Sequence, residues 1–324
     1  MSDRLKQQVE DNKILEITAG SHLYGTSTPE SDEDFLGIFM PPAEYVLGLQ
    51  TVEEVDFSII DKDKDGKNTT EAIDRKFYEF RKFINLALKN NPNIIEILFV
   101  RDAATIYIND FGRRLLAIKN LFPSQQCIPR FIGYASSQRH KMIIKRDHFN
   151  ELCNAYDFLG LCDPKLTMGQ VYDQMIDCNE STKTFIKKGT AIHIHCGDLC
   201  FEPGIYAKKA IKILKERLDK ATNRSELVLK HGYDTKFGSH LIRLLFEGLT
   251  LLKYGELIFP LPESELILEI KQGKWEISQV LDLAEKLEAR FGEAKQKTKL
   301  PKNANFKKIE EFTINLMKEH LKQE

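Results

Sequence analysis

Two aspartates that follow a glycine and a serine are the residues of this sequence best suited to chemistry. The apolar run 14–17 leads into Ala19-Gly20-Ser21, which predicts a short strand ending in a tight turn. Asp32 and Asp34 introduce a second predicted strand, and residues two apart on a strand project from one face. Paired carboxylates suit a hard divalent ion such as Mg2+, and a bare glycine turn lets a triphosphate approach.

An isolated Asp-x-Asp pair is equally typical of a solvated acidic turn after a core strand. The upstream Gly20-Ser21 and the strand predicted on each side favour a functional site here. Ten residues separate Ser21 from Asp32.

This arrangement resembles the nucleotidyltransferase fold of the DNA polymerase β superfamily, in which a hydrophobic residue, Gly-Ser, a short spacer and Asp-x-Asp follow one another. A longer pattern is similar to the predicted nucleotidyltransferases associated with RNA-repair operons, whose relatives also occur in large tailed bacteriophages. That pattern stands here as Gly20-Ser21-x-x-Tyr24-Gly25-Thr26, then Ser31-Asp32-x-Asp34-x-x-Gly37.

The resemblance implies an α+β protein: a polymerase-β-like nucleotidyltransferase domain over residues 1–110, with a mixed sheet and flanking helices, and a mostly α-helical domain over 111–324. Residues 150–230 form a less readable insertion in the second domain. The implied reaction moves a nucleoside monophosphate from an NTP to a hydroxyl, with Mg2+ or Mn2+ as cofactor. Asp32 and Asp34 would be catalytic metal ligands, and the nucleotide or its phosphates would contact Gly20, Ser21, Tyr24 and Ser31.

A site of this kind needs a third carboxylate on a neighbouring strand, and Asp74 is the best candidate by position. It would act as general base and as a ligand of a second ion, with Glu71 and Glu79 as weaker alternatives. A solvent-facing Asp near a strand end is the alternative reading. The preceding stretch 61–68, DKDKDGKN, predicts a hairpin turn, because a calcium loop would need Glu at position 72, which is Ala.

A C-terminal helix carries further candidate ligands. Lys236, His240 and Arg243 follow at i, i+4 and i+7, which predicts one polar face suited to a triphosphate or an RNA phosphate. A solvated face with incidental charge has the same spacing. The pattern Tyr233-Asp234-x-Lys236-x-x-x-His240-Leu241-x-Arg243 resembles the C-terminal signature of the same family, which favours the nucleotide-binding role.

The cluster His193-x-His195-Cys196-x-x-x-Cys200 has soft ligands that could bind zinc. No second, separated pair of such ligands is evident, and an alternating strand over 191–196 explains the pattern without a metal. We therefore expect a strand here and no zinc.

Composition bounds the class of protein. The 324 residues carry a formal net charge of −1 and only six cysteines, which predicts a reduced, cytoplasmic protein (host cytoplasm if phage-encoded). No apolar run is long enough to cross a bilayer. The near-neutral charge argues against non-specific nucleic-acid binding.

Three hypotheses follow for the function. The first is a nucleotidyltransferase acting on RNA, either a tRNA or an RNA-repair end, which the basic stretches 139–146 and 208–217 favour. The second is a protein AMP- or UMP-transferase, which the near-neutral net charge favours. The third is a catalytically inactive module that binds a nucleotide or a partner.

Overall fold

The computed structural model describes residues 3–29, 31–61, 72–177, 186–187, 193–219, 227–228 and 230–323. It confirms the predicted fold class: a mixed sheet with flanking helices in the N-terminal part, and a mostly helical region after it. The chain forms two compact units, the first made of Met1–Ser137 with Ser239–Glu324 and the second of Gln138–Gly238. The predicted domain division at residue 110 stays a prediction.

The strands are short and the helices dominate the second half of the chain. Among the described residues, the strands are β1 Lys13–Thr18, β2 Glu33–Phe39, β3 Glu54–Asp56, β4 Ile73–Glu79, β5 Thr105–Ile108, β6 Ile186–Lys187, β7 Ile194–Cys196 and β8 Leu199–Phe201. The α-helices are Asp3–Asp11, Gly20–Tyr24, Ala43–Leu47, Phe80–Leu88, Pro92–Ile95, Asp110–Ala117, Cys127–Leu161, Met168–Asp177, Ala207–Asp219, Thr235–Tyr254, Ser264–Lys271, Ile277–Lys297 and Phe306–Gln323, with 3-10 turns at Glu96–Phe99, Asp102–Ala104 and Lys119–Leu121.

The main sheet has the strand order β3-β4-β2-β1-β5 among the described strands. β2 and β4 are parallel, and the other neighbours are antiparallel. Two parallel strands in register begin at the same edge of the sheet. The first residues of β2 therefore lie beside the first residues of β4, and this edge carries the acidic residues.

On one face of β4, an aromatic ring packs directly against a glycine of β2. Gly37 of β2 is paired with Phe77 of β4, and a Cβ at Gly37 would lie only 2.2 Å from the Phe77 ring. The ring is fully buried together with Val9, Phe39 and Val55. Burial of this aromatic ring contributes on the order of 2–3 kcal/mol and holds β2 and β4 in register.

The same face of β4 carries an ion network that docks the first helix. The Arg75 guanidinium donates to Glu10 of helix Asp3–Asp11 and, at 2.6 Å, to Glu16 of β1. Lys13 Nζ also donates to Glu16, at 3.0 Å. Glu16 is buried, and a buried carboxylate is tolerated when it is paired in this way. Because side chains alternate along a strand, Asp74 projects from the opposite face.

Two local predictions were wrong. The tight turn expected at Ala19-Gly20-Ser21 is the start of a short helix, Gly20–Tyr24, which Gly25 ends in a left-handed conformation. The sequence of residues 52–60 also predicts a strand, but the strand is regular only over Glu54–Asp56. Beyond it the Ser58 hydroxyl, not a main-chain carbonyl, accepts the Arg75 N–H at 3.2 Å and interrupts the ladder. Residues 62–68 of the predicted turn lie outside the described residues, and so does Glu71, a weaker alternative to Asp74.

The second unit packs helices against a small sheet of order β6-β7-β8. Its core includes Leu159, Met168, Phe201 and Leu214. Helical spacing in the sequence predicts helices over 129–150, 168–179 and 208–218. The structure has helices Met168–Asp177 and Ala207–Asp219, with residues 178–179 outside the described residues. The first helix is longer than predicted, Cys127–Leu161, because its apolar spacing continues into this core. In the part of the chain that the structure describes, no helix has the length and apolar character needed to span a membrane.

The His193–Cys200 cluster lies on β7, β8 and their turn. Ile194–Cys196 is a strand, as its alternation predicts, although residues 191–192 lie outside the described residues. Cys200 Sγ is 3.8 Å from His195 Nε2. Burial raises the pKa of the Cys196 thiol to about 12, so this side chain is a buried apolar thiol and not a ready thiolate ligand.

Candidate active site

Three carboxylates meet at the edge where β2 and β4 begin. Asp34 of β2 and Asp74 of β4 are direct partners in the parallel register. Asp32 lies two residues before Asp34, just ahead of the first residue of β2. The structure therefore brings together the three aspartates that the sequence selects, and Asp74 belongs to the strand next to Asp34. Glu79, the weaker alternative, is buried and caps helix Phe80–Leu88.

The negative charges of this cluster act most strongly on Asp34. Burial is the largest cause that raises the pKa of Asp34 to about 6, and the charges of Asp32 and Asp74 raise it further. The positive charges of His22 and Lys271 oppose this shift. A carboxyl held in this way binds a cation more favourably than it holds a lone negative charge.

The three carboxylates are the kind of ligand that a hard divalent ion prefers. Carboxylate oxygens are the ligands that Mg2+ and Mn2+ prefer, and the raised pKa of Asp34 reflects negative charge that a cation would offset. Among the described residues, no three His, Cys, Asp or Glu side chains already stand in a metal-binding arrangement. Asp32, Asp34 and Asp74 are the residues that could hold such an ion.

Gly20 lies directly against the central carboxylate. A Cβ built at Gly20 would fall 1.8 Å from Oδ2 of Asp34, and Gly20 has a φ of +58°, in the region that favours glycine. The Ala19 N–H donates to the Asp34 carbonyl at 2.8 Å. The start of helix Gly20–Tyr24 is thus attached to β2, and only glycine fits between them.

The neighbouring serines shape the loop that joins this helix to β2. The Ser21 carbonyl accepts the Thr26 N–H at 2.9 Å. Ser31 Oγ accepts from the Thr28 N–H, at 2.9 Å, and from Lys271 Nζ, at 3.3 Å. Both serine side chains are half-buried, and their predicted contact with nucleotide phosphates stays a prediction.

Tyr24 was predicted to contact the nucleotide, but the structure buries it. Its hydroxyl donates to the Glu96 carboxylate at 2.9 Å, and the side chain belongs to the core. The reason is that Tyr24 is on the inward side of its short helix, where an aromatic ring packs and its hydroxyl finds a buried acceptor.

Arg243 also departs from its predicted setting. The expected polar face shared with Lys236 and His240 does not include Arg243, which is 5% exposed. Its Nη1 donates to both Glu247 carboxylate oxygens, at 2.9 and 3.0 Å, and its guanidinium lies 4.2 Å from the Tyr24 ring centroid. An arginine at this depth is tolerated because carboxylates and an aromatic ring surround it.

Lys236 and His240 are exposed on helix Thr235–Tyr254. Lys236 belongs to the second unit and His240 to the first. Their predicted binding of phosphate stays a prediction.

Glu96 completes a buried cluster with Tyr24, Arg243 and Glu247. Arg243 Nη1 lies 3.6 Å from a Glu96 carboxylate oxygen. Burial is the largest cause that raises the pKa of Glu96 to about 8, with the Arg243 charge opposing it and the Glu247 charge adding to it. Two buried carboxyls facing one guanidinium therefore retain one proton near neutral pH.

Sequence reasoning missed three residues of this site. Ser58 Oγ donates to Asp74 Oδ1 at 3.0 Å and orients that carboxylate. The other two are His22 and Lys271, whose charges act on Asp34. Nothing in the sequence marks Lys271, which is 240 residues from the Ser31 hydroxyl that it contacts. His22 directly follows Gly20-Ser21 in the sequence, and this position is the signal that marks it.

Comparison with known proteins indicates a class of protein. Residues 2–158 match the RNA repair pathway DNA polymerase beta family. This part of the chain is therefore similar to that family of polymerase-β-like nucleotidyltransferases.

A phage protein resembles a larger part of the chain. It is the uncharacterised 38.9 kDa protein from the nrdC-mobD intergenic region of Enterobacteria phage T4, which is 26% identical over 301 residues. The match covers 84% of this chain and 86% of that protein. No solved structure matches the chain significantly.

Gly20→Ala tests the contact with Asp34. The added methyl group would collide with the carboxylate and force a non-glycine residue to positive φ, so we expect a loss of about 1–3 kcal/mol in the free energy of unfolding. Urea denaturation measures this loss. Gly133→Ala is the control: its Cβ meets nothing within 4 Å in helix Cys127–Leu161, so it should stabilise slightly. Equal stability of the two variants would contradict the close approach.

Arg243→Ala tests the buried cluster. Removing the guanidinium leaves Glu96 and Glu247 buried without their cation, so we expect a loss of about 3–5 kcal/mol in unfolding free energy. The exposed His240→Ala should change stability by less than about 0.5 kcal/mol. Similar urea midpoints for the two variants would show that Arg243 is not a structural residue.

The raised pKa of Glu96 predicts a pH dependence of stability. The folded state keeps the Glu96 proton that the unfolded chain releases near the ordinary value of 4.5, so stability should fall as the pH rises from there to about 8 and then level off. Thermal melts across this range measure the slope. Glu96→Gln should remove most of it, whereas the exposed Glu311→Gln should not. An unchanged slope in Glu96→Gln would refute the assignment.

Proposed function

We propose that this protein transfers a nucleoside monophosphate from an NTP to a hydroxyl group of an acceptor, with pyrophosphate as the leaving group. The observation that carries the proposal is the parallel register that places Asp34 beside Asp74, with Asp32 two residues ahead. The match of residues 2–158 to the RNA repair pathway DNA polymerase beta family supports it.

In this proposal each carboxylate has its own task. Asp32 and Asp34 would hold Mg2+ or Mn2+, and Asp74 would contribute to a second ion, as in two-metal sites. Such ions, when bound, neutralise charge on the triphosphate and on the leaving pyrophosphate. Gly20 leaves the backbone bare beside Asp34, where the phosphates of the NTP and the Ser21 side chain can meet.

The proton of the acceptor hydroxyl goes to Asp74. The acceptor oxygen forms a bond to the α-phosphorus while the bond from that phosphorus to the pyrophosphate oxygen breaks. Ser58 holds the Asp74 carboxylate through a hydrogen bond of 3.0 Å, which leaves the second carboxylate oxygen of Asp74 as the base.

We propose RNA as the acceptor, either a tRNA or an end produced for repair. The support is the description of the matched family, which names an RNA repair pathway. A protein hydroxyl is the second candidate, and the net charge of −1 favours it because RNA-binding proteins usually carry a basic surplus. Either acceptor is met in the cytoplasm, that of the host if a phage encodes the protein.

Asp32→Ala and Asp34→Ala should abolish transfer, and Asp74→Asn should reduce its rate about 100- to 10,000-fold, the range for loss of a general base. The assay incubates the protein with Mg2+, total tRNA or a cell lysate, and each NTP labelled with radioactive phosphorus at the α position. Glu33→Ala is the matched control, because Glu33 is exposed and lies between the two aspartates on the alternate side of β2.

The labelled product decides between acceptors. Label in RNA that depends on Asp32 and Asp34 supports the proposal, and label in a protein band moves the acceptor to a protein hydroxyl. Near-normal labelling by Asp32→Ala would overturn the proposed chemistry. Nucleotide binding that needs no divalent metal, without transfer to either pool, would favour the inactive binding module.

A further inference from the structure

The helix Ser264–Lys271 and the segment before it lie along the loop that follows Gly20. The Leu261 N–H donates to the Tyr24 carbonyl at 3.1 Å. A Cβ built at Gly25 would lie 2.9 Å from Cβ of Pro260 and 3.4 Å from Cβ of Ser264. These contacts all fall within the first compact unit. The last residue of this helix, Lys271, therefore reaches the loop next to the carboxylates.

Lys271 extends its ammonium group across the end of this loop. Nζ donates to the Thr26 carbonyl at 2.9 Å and to Ser31 Oγ at 3.3 Å. Ser31 is the residue immediately before Asp32. The Lys271 charge also lowers the pKa of Asp34 against the causes that raise it, so the ammonium group acts on the central carboxylate of the site.

A phosphate oxygen would bind the Lys271 ammonium group more strongly than the Thr26 carbonyl or the Ser31 hydroxyl does. These two acceptors are neutral, whereas a phosphate adds charge–charge attraction to the hydrogen bond. The side chain is half-buried, which reduces screening by water. Three acidic side chains repel a triphosphate unless cations stand beside them, and a lysine on a flexible stem can supply one.

We propose that Lys271 is a substrate-binding residue whose ammonium group donates to phosphate oxygens of the NTP triphosphate, in exchange for its hydrogen bond to Ser31 Oγ. This inference rests on the proposed function and deepens it. In the free protein the same lysine links Thr26 to Ser31, and with a nucleotide bound it joins Thr26 to the triphosphate.

The test measures binding of inorganic tripolyphosphate with Mg2+ by calorimetry, which needs no knowledge of the preferred base. Lys271→Ala should weaken binding about 10- to 100-fold, the loss expected for one charge-assisted hydrogen bond. Lys271→Arg should stay within about 5-fold of the wild type because it keeps the charge. Lys274→Ala is the matched control: Lys274 is exposed three residues further on and lies 3.8 Å from Glu269.

Lys271→Gln separates phosphate binding from loop support. Glutamine can still donate to the Thr26 carbonyl but carries no charge, so it should bind tripolyphosphate as weakly as Lys271→Ala while melting near the wild-type temperature. Wild-type affinity in Lys271→Ala or Lys271→Gln would overturn the inference, even if turnover falls, because the lysine would then only hold the loop.

The failure of this inference can be told from failure of the proposed function. If the wild type labels an acceptor while Lys271→Ala binds tripolyphosphate normally, only the inference is wrong. If the wild type binds no tripolyphosphate, the inference is overturned as well, and the labelling assay then decides the proposed function independently.

Discussion

Repulsion among the carboxylates of Asp32, Asp34 and Asp74 is the interaction on which the rest of the site depends. The parallel pairing of β2 with β4 forces Asp34 and Asp74 to be neighbours. Burial is the largest cause that raises the pKa of Asp34 to about 6, and repulsion by Asp32 and Asp74 raises it further. A fold that keeps such an arrangement must hold it rigidly, and the fit of Gly20 against Asp34 does so from one side. Charge strain of this kind is typical of sites that bind cations or carry out proton transfer.

The support for this edge comes from distant parts of the chain. Arg243 and Glu247 of helix Thr235–Tyr254 hold Tyr24 and Glu96 in a buried cluster behind the Gly20 helix. Lys271 donates to the Thr26 carbonyl, just after this helix. The C-terminal segment Ser239–Glu324 thus belongs to the same compact unit as the sheet, and changes in it should affect the candidate site even where no residue touches substrate.

Local pattern was enough to predict β1, β2 and the acidic residues where β2 begins, because side-chain alternation and motif spacing are properties of short stretches. Asp74 was selected through the family resemblance, and its catalytic role stays a prediction. Sequence pattern did not predict the setting of residues whose contact partners lie far away along the chain. Helical spacing placed Arg243 on a polar face with His240, but Glu247 and the Tyr24 ring make burial of its charge tolerable. Tyr24 was missed as a core residue for the same reason, since its acceptor, Glu96, lies in an otherwise apolar stretch. Lys271 contacts Ser31, which lies 240 residues earlier, so no short stretch of sequence shows that Lys271 is near the site.

The most direct test of the central claim is anomalous diffraction from crystals grown with Mn2+ and an NTP analogue that cannot be hydrolysed. We expect an anomalous peak within coordination distance of the Asp32 and Asp34 carboxylates, with phosphate oxygens of the analogue completing the ligand set. A nucleotide bound elsewhere on the chain, with no manganese at these aspartates, would contradict it. The acidic edge of the sheet would then be a solvated surface and not an active site.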